Sequence, residues 1–192
     1  MAFMHPEKSG TRILGIAESF RGRDRSILAG IVMRRDLRID GAALETITVG
    51  GMDATEAIIR IYETLNRSDI NLILISGAVM AWYNIISPDI IRQTTDRPVI
   101  IITYEQSDGL CDTLRYHFPG DSERFAAYKA LGERDCVRLH TGHMVYLRRS
   151  GIPLTTAEEI IHQITLDGKV PEPVRVARLI ARSVMRSSQT GI

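Results

Sequence analysis

Four arginines near the end of the chain recur at a spacing that could bind phosphate. They are Arg175, Arg178, Arg182 and Arg186. Successive members are three, four and four residues apart, so a continuous helix would place them along one face. Such a stripe could contact the phosphates of a nucleic acid. The alternative is an ordinary solvated helix face. It would lie opposite an apolar stripe made of Val176, Leu179, Ile180 and Val184.

A second basic cluster and a histidine pair are the other groups that could do chemistry. Residues 21–25 read Arg-Gly-Arg-Asp-Arg and directly follow a predicted strand, so this loop could reach a nucleic acid backbone or simply be solvated. His140 and His143 form an HxxH pair in a predicted hairpin turn. HxxH binds metal only when a third ligand converges, and incidental turn histidines are the alternative interpretation.

Two common catalytic patterns are absent from the sequence. Gly50 and Gly51 precede a predicted helix, but the lysine of a phosphate-binding loop is missing and the pattern is not GxGxxG. No GxSxG nucleophile elbow occurs, and Ser76-Gly77 alone is common. We therefore predict neither a nucleoside triphosphate site nor Ser/His/Asp catalysis.

Several periodic segments must position these groups. Residues 11–17, 26–33 and 37–49 are predicted strands joined by short links, which favours an antiparallel meander. Apolar residues at helical spacing predict a helix up to Asn66, begun by Asp53 or Thr55. Residues 71–75 and 98–103 are continuous apolar runs, as expected for strands covered on both faces.

The second half is predicted to be mostly helical. Helices are predicted at residues 109–118 and 121–131. Two short strands follow at 136–139 and 144–147, and the next helix starts at Thr155 or Thr156. Residues 171–173, Pro-Glu-Pro, introduce a final helix through about Met185. The order β-β-β-α-β-α-β followed by helices is typical of an α/β, ribonuclease-H-like fold. We expect a mixed sheet of three antiparallel strands and then parallel additions, flanked by helices; such a fold does not by itself establish an activity.

Composition sets the remaining limits. A length of 192 residues favours one domain, which we place at residues 11–192. Residues 1–10 are predicted to be a short tail before it. Its 24 basic and 23 acidic residues give a net charge of +1, so a nucleic acid surface must come from local clustering. Cys111 and Cys136 form no zinc pattern, and no long apolar segment occurs. We expect a cytoplasmic protein in a reduced compartment, without membrane insertion.

Several motifs together resemble one archaeal family, the domain-of-unknown-function 99 family, whose members are similar to endonuclease V. The motifs are GIAESF at 15–20, MRRDLRIDGAALETITVGGMDATE at 33–56, ISGAVMAWYN at 75–84, HFPG at 117–120 and KVPEPVRVARLIA at 169–181. They extend over nearly the whole chain. The resemblance implies the same ribonuclease-H-like fold and a metal-dependent endonuclease as ancestor.

Three positions at which the resemblance implies an acid or a histidine hold other residues here, namely Ala17, Ser76 and Arg178. Family members end the first strand in paired aspartates and the strand after the first helix in Asp-Gly; here Ala17, Glu18 and Ser76 stand there. In endonuclease V the helix opened by Pro-Glu-Pro carries a further acid or histidine near the metal. Arg178 occupies that position here.

Those departures bear on metal binding, because Mg²⁺ and Mn²⁺ prefer carboxylates as ligands. Ala17 offers no ligand and Ser76 only a neutral hydroxyl. The remaining acids are Glu18 and Glu56, with Asp53 and Asp89 behind them. Each also has a structural interpretation: Glu18 as a turn residue, Glu56 as an acid in a first helical turn, and Asp53 as an N-cap.

The resemblance also places Trp82 and Tyr83 in the region of the lesion-recognition segment of endonuclease V. Aromatic rings there could stack on a displaced base, or Trp82 could pack in the core. Our leading hypothesis is a nuclease-degenerate relative that binds nucleic acid, with DNA as the implied partner. The alternatives are an active Mg²⁺- or Mn²⁺-dependent endonuclease on deaminated DNA that uses Glu18 and Glu56, and a module for a small ligand or protein. The sequence predicts no other cofactor and leaves the oligomeric state open.

Overall fold

The first three strands form the predicted antiparallel meander. The structure is a computed structural model that describes residues 10–22, 24–107 and 109–190, the side chains of 188–190 excepted. The meander consists of β1 (Arg12–Phe20), β2 (Arg25–Arg34) and β3 (Ile39–Thr48). Residues 1–9 of the predicted tail and Arg23 of the basic loop lie outside the described residues.

Six further strands follow in the described part of the chain, four of which complete a mixed sheet with the meander. They are β4 (Ile70–Ser76), β5 (Val79–Met80), β6 (Asn84–Ile85), β7 (Val99–Thr103), β8 (Asp135–Arg138) and β9 (Met144–Ser150). The main sheet has the order β3-β2-β1-β4-β7-β9-β8, and β5 and β6 form a separate small hairpin. The predicted parallel additions are confirmed for β4 and β7. At the far edge β9 adds antiparallel to β7 instead, and β8 adds antiparallel to β9, as the short turn between β8 and β9 requires.

Helices cover both faces of the sheet. They are α1 (Ala54–Leu65), α2 (Pro88–Thr95), α3 (Cys111–His117), α4 (Ser122–Ala130), α5 (Leu154–Ile164) and α6 (Glu172–Thr190). The last helix is longer than predicted, and α5 begins one residue before Thr155 because Pro153 takes the N-cap position. None of these helices, within the ranges just given, is long and apolar enough to cross a membrane.

Alternating side chains of β1 separate two cores. Leu14 and Ile16 pack with α1 residues such as Ile58, whereas Ala17 packs against Ala177 and Ala181 of α6, as a strand period of two requires. Each large aliphatic side chain buried in this way contributes about 1.5–3 kcal/mol. The side chains of neighbouring residues in β1 therefore point to opposite faces of the sheet, one covered by α1 and the other by α6.

Helix α6 lies very close to β1 because small residues line the contact. A Cβ added to Gly15 would lie 2.4 Å from the carbonyl carbon of Pro173. The buried side of α6 is formed by Val174, Ala177, Ala181 and Met185. The apolar stripe proposed from sequence is therefore wrong in one member, since Leu179 is 52% exposed. This close approach sets the position of the arginines relative to the strand ends.

We predict that Gly15→Ala lowers the free energy of unfolding by at least about 1 kcal/mol, because the added methyl group would displace the backbone of Pro173. Gly41→Ala is the matched control, since a Cβ there would meet its nearest neighbour, a Leu65 methyl, at an ordinary 3.5 Å. Urea denaturation of both variants measures the difference. Equal stability of the two would show that α6 is not held against β1 by this contact.

Candidate functional site

The three positions that depart from the family pattern come together at one end of the sheet. Ile16 pairs with Ile75 in parallel register, so Ala17 and Ser76 are the next residues of adjacent strands. Arg178 of α6 donates a hydrogen bond from Nη2 to Ser76 Oγ at 2.7 Å. The guanidinium therefore lies across the carboxyl end of β4, on the face of the sheet that α6 covers.

Tyr104, which directly follows β7, completes this group. Its hydroxyl lies 3.4 Å from Ser76 Oγ, and its ring centroid lies 5.6 Å from Arg178 Cζ. Burial raises the pKa of Tyr104, although Ser76 and Arg178 favour its ionised form. The phenol is thus neutral at physiological pH. Among the described residues Arg178 forms no salt bridge, so nothing there cancels its charge.

A cleft of about 490 Å³ opens beside this group. Its cationic lining residues are Arg21, Arg178, Arg182 and Arg186. Glu18 is the one carboxylate among its lining residues. This volume falls within the range of ligand sites, and the excess of arginine makes it suited to an anion.

The predicted helical stripe therefore divides into two parts. Arg178, Arg182 and Arg186 line the cleft. Arg175 does not, because its guanidinium donates to both carboxylate oxygens of Glu172 at 2.7 and 2.6 Å. This hydrogen-bonded pair raises the pKa of Arg175. The prediction that Arg175 contacts nucleic acid loses its geometric basis, since its donors are engaged by a buried acid.

The residues at the cleft do not fit a divalent metal. In the described ranges no three histidine, cysteine, aspartate or glutamate side chains are arranged to hold an ion. A cation bound to Ser76 Oγ would lie within a few ångströms of the Arg178 guanidinium. Two unit charges about 4 Å apart repel by about 4 kcal/mol at an effective dielectric of 20, and a divalent ion roughly doubles that.

Glu18 borders the cleft, but its carboxylate is engaged elsewhere. One oxygen accepts a short hydrogen bond from Ser26 Oγ, and the other accepts the Ala81 N–H at 3.1 Å. Strand alternation directs Glu18 to the face opposite Ala17. Glu18 therefore fixes a turn to the end of β1 and does not replace the missing acid on the α6 face.

The acids of α1 are also on that other face. Asp53 is the N-cap residue of α1 but makes no capping hydrogen bond with its side chain. It accepts hydrogen bonds from the Thr48 backbone and hydroxyl and from Asn84 Nδ2. Burial opposes ionisation of Asp53, but the hydrogen bonds from Asn84 and Thr48 outweigh it and lower its pKa. Glu56 is exposed in the first turn of α1.

Asp89 lies at the opposite end of the strands from Ser76. Its carboxylate accepts a hydrogen bond from Ser150 Oγ, and Ser150 pairs with Val99, the first residue of β7. Ser76 is the last residue of β4 and pairs with Ile102, near the other end of β7. Asp89 therefore cannot converge with Glu18, and the four acids proposed from sequence do not form one site.

Trp82, which is exposed, and Tyr83, which is half-buried, form an aromatic turn at the same end of the sheet as the cleft. Ala81, Trp82 and Tyr83 all have left-handed backbone angles, with φ of 37°, 58° and 67°, each of which is costly for a residue with a side chain. Trp82 is 49% exposed, so core packing does not explain it. Its ring centroid lies 5.6 Å from those of His117 and Phe118.

Arg124, a residue that sequence reasoning missed, holds this turn in place. It is 5% exposed and donates to the carbonyl oxygens of Gly50, Gly51 and Tyr83. Asp121 neutralises it at 2.9 Å. The three carbonyl groups lie 41 to 74 positions away in the chain, so no local pattern indicates these contacts.

The two histidines singled out from sequence do not form a site together. His140 contacts His162 instead: the two Nδ1 atoms lie 3.4 Å apart, and the backbone N–H of His140 donates a hydrogen bond to His162 Nδ1. His143 is exposed at the hairpin turn. No third ligand converges among the described side chains, which favours the interpretation as turn residues.

Comparison with known proteins identifies relatives along almost the entire chain. A family model described as endonuclease dU matches residues 9–185. A UPF0215 protein of Pyrobaculum calidifontis is 36% identical over 173 residues, which cover 89% of this chain and 95% of that protein. A UPF0215 protein of Thermococcus kodakarensis is 32% identical over 186 residues, covering 93% and 94% respectively.

Solved structures confirm the ribonuclease-H-like fold. A protein of unknown function from Archaeoglobus fulgidus superimposes with a TM-score of 0.80 at 24% identity, covering 91% of this chain and 98% of that one. Endonuclease V of Ciona intestinalis, solved with DNA containing an inosine, has a TM-score of 0.63 at 9% identity and covers 92% of this chain and 86% of that one. At these identities the likeness establishes the fold alone.

Proposed function

Since the chain belongs to the endonuclease dU family, we propose that it is a nuclease-degenerate member that binds nucleic acid through its arginine cleft. The observation that carries this proposal is the hydrogen bond from Arg178 to Ser76 at the shared end of β1 and β4. Among the described residues this guanidinium has no carboxylate partner, and the family resemblance implies that a related nuclease gathers acids around a metal at this position. Phosphate is the anion that such a group binds well, through paired N–H donors.

Arg182 and Arg21 extend this cationic surface. Both are exposed, both line the cleft, and neither forms a salt bridge within the described part of the chain. Successive phosphates of a strand could contact Arg178 and then Arg182 along α6. The exposed ring of Trp82 at the same end of the sheet could stack on a base.

DNA that contains deaminated bases is the first ligand to test. The family description names dU, and the Ciona intestinalis endonuclease V was solved on DNA with an inosine. We propose that the chain binds such DNA without cutting it. A module for a small ligand or protein partner would instead show no nucleic acid affinity, or an affinity independent of salt.

The test is a cleavage assay with Mg²⁺ or Mn²⁺ on duplex and single-stranded DNA that carries deoxyuridine or deoxyinosine. Binding is measured in parallel by fluorescence anisotropy without metal. We expect binding that weakens steeply with salt and no cleavage. Metal-dependent cleavage would contradict the proposal, and absence of both binding and cleavage would favour the small-ligand or protein module.

Glu18→Gln separates the proposal from the active-nuclease alternative. We expect this variant to bind DNA at least as tightly as the parent protein, because Gln still offers an oxygen to the Ala81 N–H and a partner to Ser26 and removes the one carboxylate among the cleft residues. Gly41→Ala serves as the folded control. If the parent protein cuts DNA and Glu18→Gln does not, the site has been rebuilt around Glu18 and the degenerate interpretation is wrong.

A further inference from the structure

A second groove of about 970 Å³ lies next to the arginine cleft and shares Ser76 and Arg178 with it. It runs between the end of α4 and the β8–β9 hairpin. Val145 and Leu147 of β9 pack into the core that α5 covers. The intervening Tyr146 and Arg148 therefore point to the other face of β9, where they line this groove.

Two arginines line this groove, and neither has a carboxylate partner among the described residues. Arg148 is half-buried and donates from Nε to the carbonyl oxygen of Gly132 at 3.2 Å. Arg134 donates to the carbonyl oxygens of Glu105 and Ser107. Within the described ranges neither guanidinium forms a salt bridge. Burial, together with the positive charge of Arg134, lowers the pKa of Arg148.

The acids that line the groove within the described part of the chain do not compensate this pair. Glu105 binds Lys169 Nζ at 2.5 Å, which leaves Glu133 as the other acid among the groove residues. The Arg134 guanidinium also lies 4.8 Å from the ring centroid of Tyr146. Placing two like charges together in a partly buried groove costs free energy. A bound anion would relieve that repulsion.

We infer that this groove binds a nucleotide phosphate through Arg134 and Arg148. One source of this phosphate is a nucleic acid strand that extends from the arginine cleft past Arg178 into the groove. For that source, the inference rests on the proposed function. A free nucleoside monophosphate offers the same chemistry. The partly buried tyrosines of the groove, such as Tyr146, can stack on a base or ribose in either case.

The closing experiment measures affinity for uridine 5′-monophosphate and for oligothymidylates of increasing length. Arg148→Gln is expected to weaken binding about fivefold, since it removes one charge-assisted contact. Arg148→Lys keeps the charge and is expected to recover most of that loss. Arg138→Gln is the matched control, because Arg138 is exposed on β8 and lines neither cleft. Thermal melting checks that each variant is folded, and Arg134→Gln provides an independent second variant.

The outcomes distinguish the two phosphate sources and the two proposals. A loss confined to the longer oligonucleotides supports a strand in the groove, and a loss with the mononucleotide supports a free nucleotide. If the Arg148 and Arg134 variants match Arg138→Gln on every probe while Arg182→Ala weakens oligonucleotide binding, the groove inference is overturned and the proposed function stands. If Arg148→Gln weakens mononucleotide binding while no oligonucleotide binds at all, the groove inference stands and the proposed function fails.

Discussion

The double variant Arg178→Ala/Arg182→Ala is expected to lose about 100-fold in nucleic acid affinity at low salt. Each arginine lines the cleft without a carboxylate partner among the described residues, so each can give its full charge to a phosphate. Charge-assisted hydrogen bonds contribute about 1.5–3 kcal/mol each, and 1.4 kcal/mol corresponds to a factor of ten in affinity. Two such contacts therefore give the expected loss.

The salt dependence of the same variant gives a second, independent measure. Each lost phosphate contact should reduce the slope of log affinity against log salt by about 0.9 on duplex DNA. Two contacts should flatten it by about 2. Fluorescence anisotropy at several salt concentrations measures the slope, with Arg138→Ala as the control outside the cleft. An unchanged slope would show that this face of α6 does not contact phosphate and is an ordinary solvated helix surface.

Removal of Arg175 would be a poor substitute for this test. Its guanidinium holds Glu172, which is 7% exposed. Replacement by alanine would leave a buried carboxylate unpaired and weaken the start of α6. A loss of binding in that variant would report on helix stability rather than on contact with phosphate.

The sheet and its helices were predictable because their signals are local. Continuous apolar runs gave β4 and β7, and apolar residues at helical spacing gave α1. The pairing of β9 with β7 was not predicted, because the mixed apolar and polar residues of a short strand such as β9 fit several neighbours. The convergence of Ala17, Ser76 and Arg178 was anticipated only through the family resemblance, and the structure places them together.

The aromatic turn marks the limit of sequence reasoning. Nothing in Ala81-Trp82-Tyr83 favours three successive left-handed residues, since side chains disfavour that conformation. Arg124 maintains it from 41 positions away, and it also binds Gly51 from 73 positions away. Contacts of that range have no periodic signature. The same holds for the Arg134 and Arg148 pair, which comes together only when β9 joins β7.

The final prediction concerns Ser76, where one change tests the charge of Arg178 without removing it. In Ser76→Asp the new carboxylate would replace a hydroxyl that now lies 2.7 Å from Arg178 Nη2, so it would form a partly buried salt bridge. We expect nucleic acid affinity to fall at least about tenfold, because the paired guanidinium no longer offers its charge to phosphate. The free energy of unfolding should change by no more than about 1 kcal/mol, because the hydroxyl already accepts a hydrogen bond from the charged guanidinium and desolvation of the new carboxylate offsets the added attraction.

Ser76→Asn is the matched control for this prediction, since it adds similar bulk without charge and should leave affinity within a few-fold of the parent protein. Anisotropy and urea denaturation measure the two effects. If Ser76→Asp instead gained Mn²⁺ binding and cut DNA, a carboxylate at position 76 would be completing a metal site despite Arg178. The guanidinium would then have to turn away from the strand end, and the cleft would be a nuclease site lacking one ligand rather than a phosphate-binding surface.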